Sequence, residues 1–421
     1  MFKMVKNVPL LEFFSIPDNY FLNEERYNYY SSLIPEISTL EKCRKITLVV
    51  SLKYPQDKDK ERLGYNNATN PHIFKPKFYA DKDRDAIVCY VASMEVLNHT
   101  LRAFSIFCKL QLKINPLVSF YSLNLEVDEI IQNWVVNDLI LIGRVDSVIN
   151  FLRLFYLFEE KKLDFTELKR IFVALEKIRL GNYIYNHNKL NSFLREKEKI
   201  LDEIDRRLYI EKLNSCSPYI MGVNFKYRDK KITCVQLPWG FTLAKTLLSS
   251  LFRKNEKIKK IAIVGGVGYV GNHLHKVSVD DVFIPEGIVL GNDLKGYKEK
   301  IIKNNALLYK NKYFNYKKIC RGFIKTVIPR VGIVSNTKDI REGIKKGVID
   351  SIDMELEGFL EVIGRYPFVS FFSSYYIMDI PAIGLGLGNT YYNIYFIKKL
   401  FSSFERGKYV CLEKALRFLA H

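Results

Sequence analysis

The stretch "IAIVGGVGYVGNHLHKVSVDDVFIP", Ile261 to Pro285, decides how the second half of the chain is read. Gly266, Gly268 and Gly271 spell G-x-G-x-x-G after an apolar run. Dinucleotide-binding turns share that spelling, but there a helix opens straight after the glycines and its N-terminus holds the pyrophosphate. Here "KVSVDDVFI" alternates like a strand. About eight residues separate Gly271 from the strand that runs into Pro285, whereas a crossover with its helix needs at least ten to twelve. The context that would confirm the motif is missing, so NAD is not expected, nor any other cofactor. The reading is instead strand, glycine-dense turn, strand. Glycine there lets backbone come close to a ligand or take a positive φ. His273 and His275 stand in the connection without an evident carboxylate or cysteine partner, so no metal is expected.

Outward from this stretch, residues 216–421 mix strands and helices. "VNFKYRDKKITCVQLPWG" reads as a hairpin turning at "YRDKK", and "FTLAKTLLSSLFRK" as a helix. "DVFIPEGIVL" and "VIPRVGIVS" read as strands. "DSIDMELEGFLEVIGRY" starts as a strand and becomes a helix, and "FVSFFSSYYIMD" is a long β-like run. Two helices, "NIYFIKKLFSSF" and "KYVCLEKALRFLAH", close the chain.

Two of these segments carry acids in chemically suggestive settings. "SIDMELEGF" supplies Asp353, Glu355 and Glu357 at alternating spacing, and "YYIMDIP" places Asp379 in an apolar run. Breaking an N-glycosidic bond builds positive charge on the sugar and negative charge on the leaving base. A carboxylate at the sugar binds hydroxyls and stabilises the cation. An acid whose pKa is raised by burial protonates the base. Each residue also has a plainer reading: Glu355 as the start of a helix, Met354 as core, Asp379 as a turn residue before Ile380 and Pro381, and Asp353 as an N-cap or a solvent-facing strand end.

Four blocks, over about residues 218–415, resemble the nucleoside phosphorylase/nucleosidase superfamily, with its purine nucleoside phosphorylase-like fold. They are "GVNFKYRDKKITCVQLPWGFTLAKTLLSSLF", "KIAIVGGVGYVGNHLHKVSVDDVFIP", "VGIVSNTKDIREGIKKGVIDSIDMELEGFLEV" and "FVSFFSSYYIMDIP". The third is the most specific, through its M-E pair opening a helix. The resemblance implies that Met354 packs against a ribose and that Glu355 accepts its hydroxyls. It implies that Asp379 is the general acid, and that Gly240, Gly266, Gly268 and Ser335 line the substrate site. Asp281 falls on the Asp that opens the next strand. A homo-oligomer is also implied. Three departures bear on the nucleophile. Ile263 stands where the family's phosphorylases carry Arg, Gly266 stands where they carry Ser or Thr, and no early P-G-D-P segment is found. Without such donors water is favoured over phosphate. Asp379 also lies about three residues beyond the family's spacing from Pro367, a surplus that a β-bulge could absorb.

Residues 1–45 read as an N-terminal extension. Residues 46–165 carry three strand–helix repeats, "ITLVVSL", "AIVCYVA" and "DLILIGRV" among their strands, and are expected to form a small parallel α/β domain. Gly143, Arg144 and Asp146 end the last of these strands, as a βα turn or a ligand site. Residues 166–215 read as a charged helical connector. The expected fold is therefore α/β: this small domain, the connector, and a phosphorylase-like mixed-sheet domain over 216–421.

Seven scattered cysteines with no C-x-x-C pair suit a reducing cytoplasm. No signal-peptide pattern opens the sequence, and no apolar run is clean enough to span a membrane. Of the net +19 charge, residues 216–421 hold 33 Lys/Arg against 17 Asp/Glu, while 1–215 hold 32 against 29. A basic second half suits an anionic small molecule. No basic block interleaved with glycines and aromatics appears, which disfavours nucleic acid. The expected function is an N-ribosyl hydrolase acting on a purine nucleoside or nucleotide. A non-catalytic nucleoside or nucleotide sensor and a phosphate-dependent phosphorylase are the alternatives.

Overall fold

The computed structural model describes residues 3–12, 30–31, 33–53, 61–64, 76–81, 85–92, 94–122, 127–160, 202, 204–217, 219–238, 240–271, 277–278, 281–290, 298–311, 318–326, 345–380, 385–386 and 394–421. Their strands form two sheets of mixed direction.

The first sheet holds β1 (Lys3–Pro9), β2 (Lys45–Val50), β3 (Glu61–Arg62), β4 (Lys77–Ala80), β5 (Ala86–Val91) and β6 (Leu117–Ser122), in the order β1-β6-β2-β5-β4-β3. Strand β2 runs parallel to both β5 and β6. Among the described residues of the first half of the chain, the α-helices are α1 (Ile37–Leu40), α2 (Met94–Phe107), α3 (Val127–Ile130) and α4 (Val145–Glu160).

The second sheet begins with β7 (Leu139–Gly143), which pairs with strands far along the chain. It continues with β8 (Glu211–Leu213), β9 (Gly222–Tyr227), β10 (Lys230–Gln236), β11 (Lys260–Tyr269), β12 (Val282–Leu290), β13 (Lys298–Ile301), β14 (Ile319–Thr326), β15 (Ser351–Asp353), β16 (Ser370–Ile380) and β17 (Leu385–Gly386). Helices α5 (Phe241–Lys254), α6 (Leu356–Ile363) and α7 (Ile394–Ala420) pack on it. The two closing helices expected from the sequence are therefore one. The hairpin over β9 and β10 turns at Arg228 and Asp229, both at positive φ.

Strand β7 corrects the sequence reading. It carries the third strand–helix repeat of residues 46–165, yet it pairs parallel with β10 and β11 and, among the described residues, has no partner in the first sheet. A strand–helix repeat reports local structure; the sheet that a strand joins is settled by partners distant in sequence.

Strand β11 organises the second sheet. It is buried on both faces, which explains its unbroken apolar run. One edge pairs parallel with β16 along almost its whole length. The other edge is shared: residues 260–263 pair with β7, and Gly268 and Tyr269 pair with β15. Strand β16 also pairs with β12, β12 with β14, and β14 with β15. The strands β11-β16-β12-β14-β15 thus close into a ring, while β7, β10, β9 and β8 branch away from it. Residues 264–267 lie where the branch and the ring part.

Two apolar layers cover the sheet. Helices α5 and α6 bury Leu243, Leu247, Leu251, Phe359 and Val362 on one face. Helices α4 and α7 bury Phe151, Phe155, Leu412 and Leu416 on the other. No helix among the described residues is long and apolar enough to cross a membrane.

Candidate functional site

The parting of β7 and β15 along β11 opens a split at the carboxyl ends of the parallel strands. Sheets of this kind receive ligands at such a place. Gly143, the last residue of β7, packs against Val264: a Cβ built on it would stand 3.4 Å from the Val264 carbonyl oxygen. Its carbonyl accepts from Leu237 N–H at 2.9 Å, which draws the end of β10 to the same point. Arg144 follows, exposed. Gln236 Oε1 then accepts from Val145 N–H at 3.2 Å, capping the start of α4.

Helices α5 and α6 both begin beside the split, and one contact ties their starts together. Gly240 N–H donates to Glu355 Oε1 at 3.1 Å. Gly240 holds φ at +100°, a conformation that strains any residue with a Cβ. Glu355 is 6% exposed and immediately precedes α6. Burying a carboxylate is costly unless it is hydrogen-bonded. The Gly240 amide and the N-terminal end of α6 both favour the charge.

Two residues earlier, Asp353 is 5% exposed and fastened on every side. Thr326 Oγ1 donates to its Oδ1 at 2.6 Å. Its Oδ2 accepts from Leu356 N–H at 2.7 Å and from Glu355 N–H at 3.4 Å. Thr326 Oγ1 in turn accepts from Glu357 N–H at 2.9 Å. Burial pushes the Asp353 carboxyl up to about 6, against the lowering effect of these donors. Burial likewise raises Glu357, with Lys325 opposing it. Asp353 thus pins the β15–α6 turn and so fixes where Glu355 stands. The expectation of an N-cap role is close to what is found; Asp353 is buried, however, rather than solvent-facing.

The bulged end of β16 forms the other side. Val267 pairs with Ile377, but Gly268 pairs with Asp379, so Met378 is an extra residue. The bulge absorbs one residue of the surplus expected before Asp379. The Met378 side chain lies over Gly266, where an added Cβ would stand 1.8 Å from its sulfur. Gly268 is flanked by Asp379 on one edge and Ile352 on the other. Adjacent strands lie about 4.8 Å apart, so these two backbones are about 10 Å apart across β11. The β16 end and the turn leading to Glu355 therefore face each other across one strand.

The remaining expected residues divide. Met354 is half-buried and belongs to a small apolar cluster with Val270, Val289, Ile349 and Ile352. Asp281 is buried, accepts from Ser278 N–H at 2.8 Å, and opens β12 as expected. Ser335, His273 and His275 lie outside the described residues, as does the expected strand "VIPRVGIVS" from Val327 onward. The expectations did not include Tyr375. It reads as core within an apolar run, and only its partners in space set it apart. Its ring is 2% exposed, packed on Gly265 and near Asp353 and Glu355.

No family model matches the chain. No curated protein matches it either. Solved structures similar to it include a uridine phosphorylase from Vibrio fischeri, at 14% identity over 68% of this chain and 93% of that one, with a TM-score of 0.42. A putative 5′-methylthioadenosine/S-adenosylhomocysteine nucleosidase from Borrelia burgdorferi, bound to adenine, matches at 22% identity over 52% and 94%, with a TM-score of 0.39. A Helicobacter pylori MTAN mutant with 5′-methylthioadenosine in its active site matches at 10% over 65% and 96%, also at 0.39. These neighbours are nucleosidases and a nucleoside phosphorylase, members of the superfamily resembled in sequence. Each is a protein this chain is similar to, at identities too low to transfer a residue's role.

Proposed function

We propose that the chain is an N-ribosyl hydrolase that cleaves the N-glycosidic bond of a purine nucleoside or nucleotide, with water as nucleophile. One observation carries the reading: a buried carboxylate, Glu355, is held by the Gly240 amide at the split. A sugar diol donates well to such a group, and the growing positive charge at the anomeric carbon is stabilised by it.

In the proposed step the C1′–N bond breaks and its electron pair goes to the base. Asp379 gives the base its proton as general acid. Water then bonds to C1′, and the proton it loses returns to the Asp379 carboxylate. Met354, Gly266, Gly268 and Ser335 complete the proposed substrate site, and no cofactor enters the reaction. The carboxylates at 353 and 355 disfavour a phosphate anion at the sugar face. We also propose that the protein works in the cytoplasm, as a homo-oligomer.

A phosphorylase is the second reading, because Arg144 follows Gly143 directly at the end of β7. A guanidinium there could serve a phosphate. The test is a panel of purine nucleosides and nucleotides, incubated with and without inorganic phosphate and separated by chromatography. Free base without phosphate is expected. Base only with phosphate favours the second reading. Ligand-induced stabilisation without any base indicates a sensor.

A further inference from the structure

We infer that the Tyr375 hydroxyl is a substrate-binding donor that recognises one neutral sugar hydroxyl at the split, an inference that rests on the nucleoside reading above. Four observations support it.

First, Tyr375 is 2% exposed, and its Oη has no hydrogen-bond partner among the described residues. Buried polar groups are nearly always paired, and leaving one unpaired is destabilising. A phenylalanine would fill the same volume without that penalty, so packing does not account for the hydroxyl.

Second, the ring lies at the split. Tyr375 pairs with Gly265 on β11 and Phe283 on β12. A Cβ on Gly265 would stand 3.1 Å from Tyr375 Cε1 and 3.2 Å from Leu237 Cδ2. Gly265 is one of the four residues between the β7 and β15 pairings of β11.

Third, the face is the right one. Tyr375 shares the apolar layer of α5 and α6, the helices whose starts meet through Gly240 and Glu355.

Fourth, the surrounding charge selects the ligand group. Burial, and then the carboxylates of Asp353 and Glu355, raise the phenol's pKa well above its ordinary value. The phenol therefore stays protonated and can donate. The same carboxylates repel an anionic ligand group. A ligand amine can donate to a carboxylate but cannot accept from a phenol. A hydroxyl does both, accepting from Tyr375 while donating to Glu355.

The test compares Asp379→Asn protein, used to hold nucleosides uncleaved, with the Asp379→Asn/Tyr375→Phe double variant. Calorimetry measures binding of adenosine, guanosine and the 2′-deoxy and 3′-deoxy analogue of each. Melting of the ligand-free proteins is recorded alongside. Loss of the phenol is expected to weaken the ribonucleoside roughly tenfold. One deoxy analogue should bind the parent about tenfold more weakly than the ribonucleoside and be indifferent to Tyr375→Phe. The ligand-free melting temperature should hold or rise. Unchanged ribonucleoside affinity, an equal loss for all analogues, or a lower ligand-free melting temperature overturns the inference and leaves the nucleoside reading intact. If the parent binds none of the nucleosides, the nucleoside reading itself fails and takes the inference with it.

Discussion

The two sheets bury their polar groups differently. Among the described residues around the first sheet the buried polar side chains are hydroxyls: Ser31, Thr39, Ser51, Thr100 and Ser105. Hydroxyls are readily satisfied by nearby backbone, as where Thr100 Oγ1 donates to Val96 O at 2.8 Å within its own helix, and one left without a partner, as Ser105 Oγ is among the described residues, costs less than an unpaired charge. Around the second sheet the buried set includes the acids Asp281, Asp353, Glu355 and Glu413. An acid is far more costly to bury and needs partners brought from distant strands. Asp353 draws on Thr326, and Glu355 on Gly240, 115 residues away. Function is proposed where that cost is concentrated.

The sharpest way to break this contrast is to remove the anchoring acid. Asp353→Ala leaves the Thr326 hydroxyl and the Leu356 amide without their acceptor. It should lower stability by about 3 kcal/mol in denaturant titration. A loss below about 1 kcal/mol would show that the turn is held some other way.

Gly266→Ala probes the packing of β11 on the bulge. The new methyl collides with Met378 Sδ and Cγ, and since Met378 must turn aside, a loss of about 1–3 kcal/mol is expected.

The pH dependence is a finer probe. With the folded-state carboxyl of Asp353 raised to about 6, the folded protein binds that proton more tightly than the unfolded chain does. Its contribution to stability is full below about pH 4 and is lost as pH rises to about 6. Asp353→Asn should remove that fall from melting curves taken across the range. A wild-type profile that rises there with Asp353 present, and is unchanged in the variant, would contradict the assignment.

The smallest effect belongs to the first sheet. Thr100→Val should change stability by less than about 1 kcal/mol, because its hydroxyl satisfies only a carbonyl already bonded in the helix. A loss as large as that of Asp353→Ala would erase the contrast between the sheets.

Part of this was legible in the sequence, and the reasons are physical. The alternation after Gly271 argued against a dinucleotide turn, and β12 opens at Val282, later than that alternation implied, with Val277 and Ser278 outside it. Strand β9 and helix α5 follow their periods because each faces one core layer, whereas β10 is buried on both faces from Ile232 onward. Glu355 stood out through the alternating acids of "SIDMELEGF" and the M-E pair opening a helix, both local signals. Strand β7 was assigned to the wrong sheet because its parallel partners lie about 100 residues onward. Tyr375 was invisible for a related reason. A tyrosine in "SSYYIMD" reads as core until β11, β15 and α6 bring Gly265, Asp353 and Glu355 around it.

The proposal that Glu355 holds the sugar at the split is tested most directly by base release from purine nucleosides and nucleotides, followed by chromatography for wild-type protein and Glu355→Gln in parallel. The glutamine keeps an acceptor for the Gly240 amide, and matched melting temperatures confirm that both proteins are folded. The account predicts release by the wild type and a rate about 100-fold lower for Glu355→Gln. Equal release by the two proteins, or none by the wild type, would contradict it.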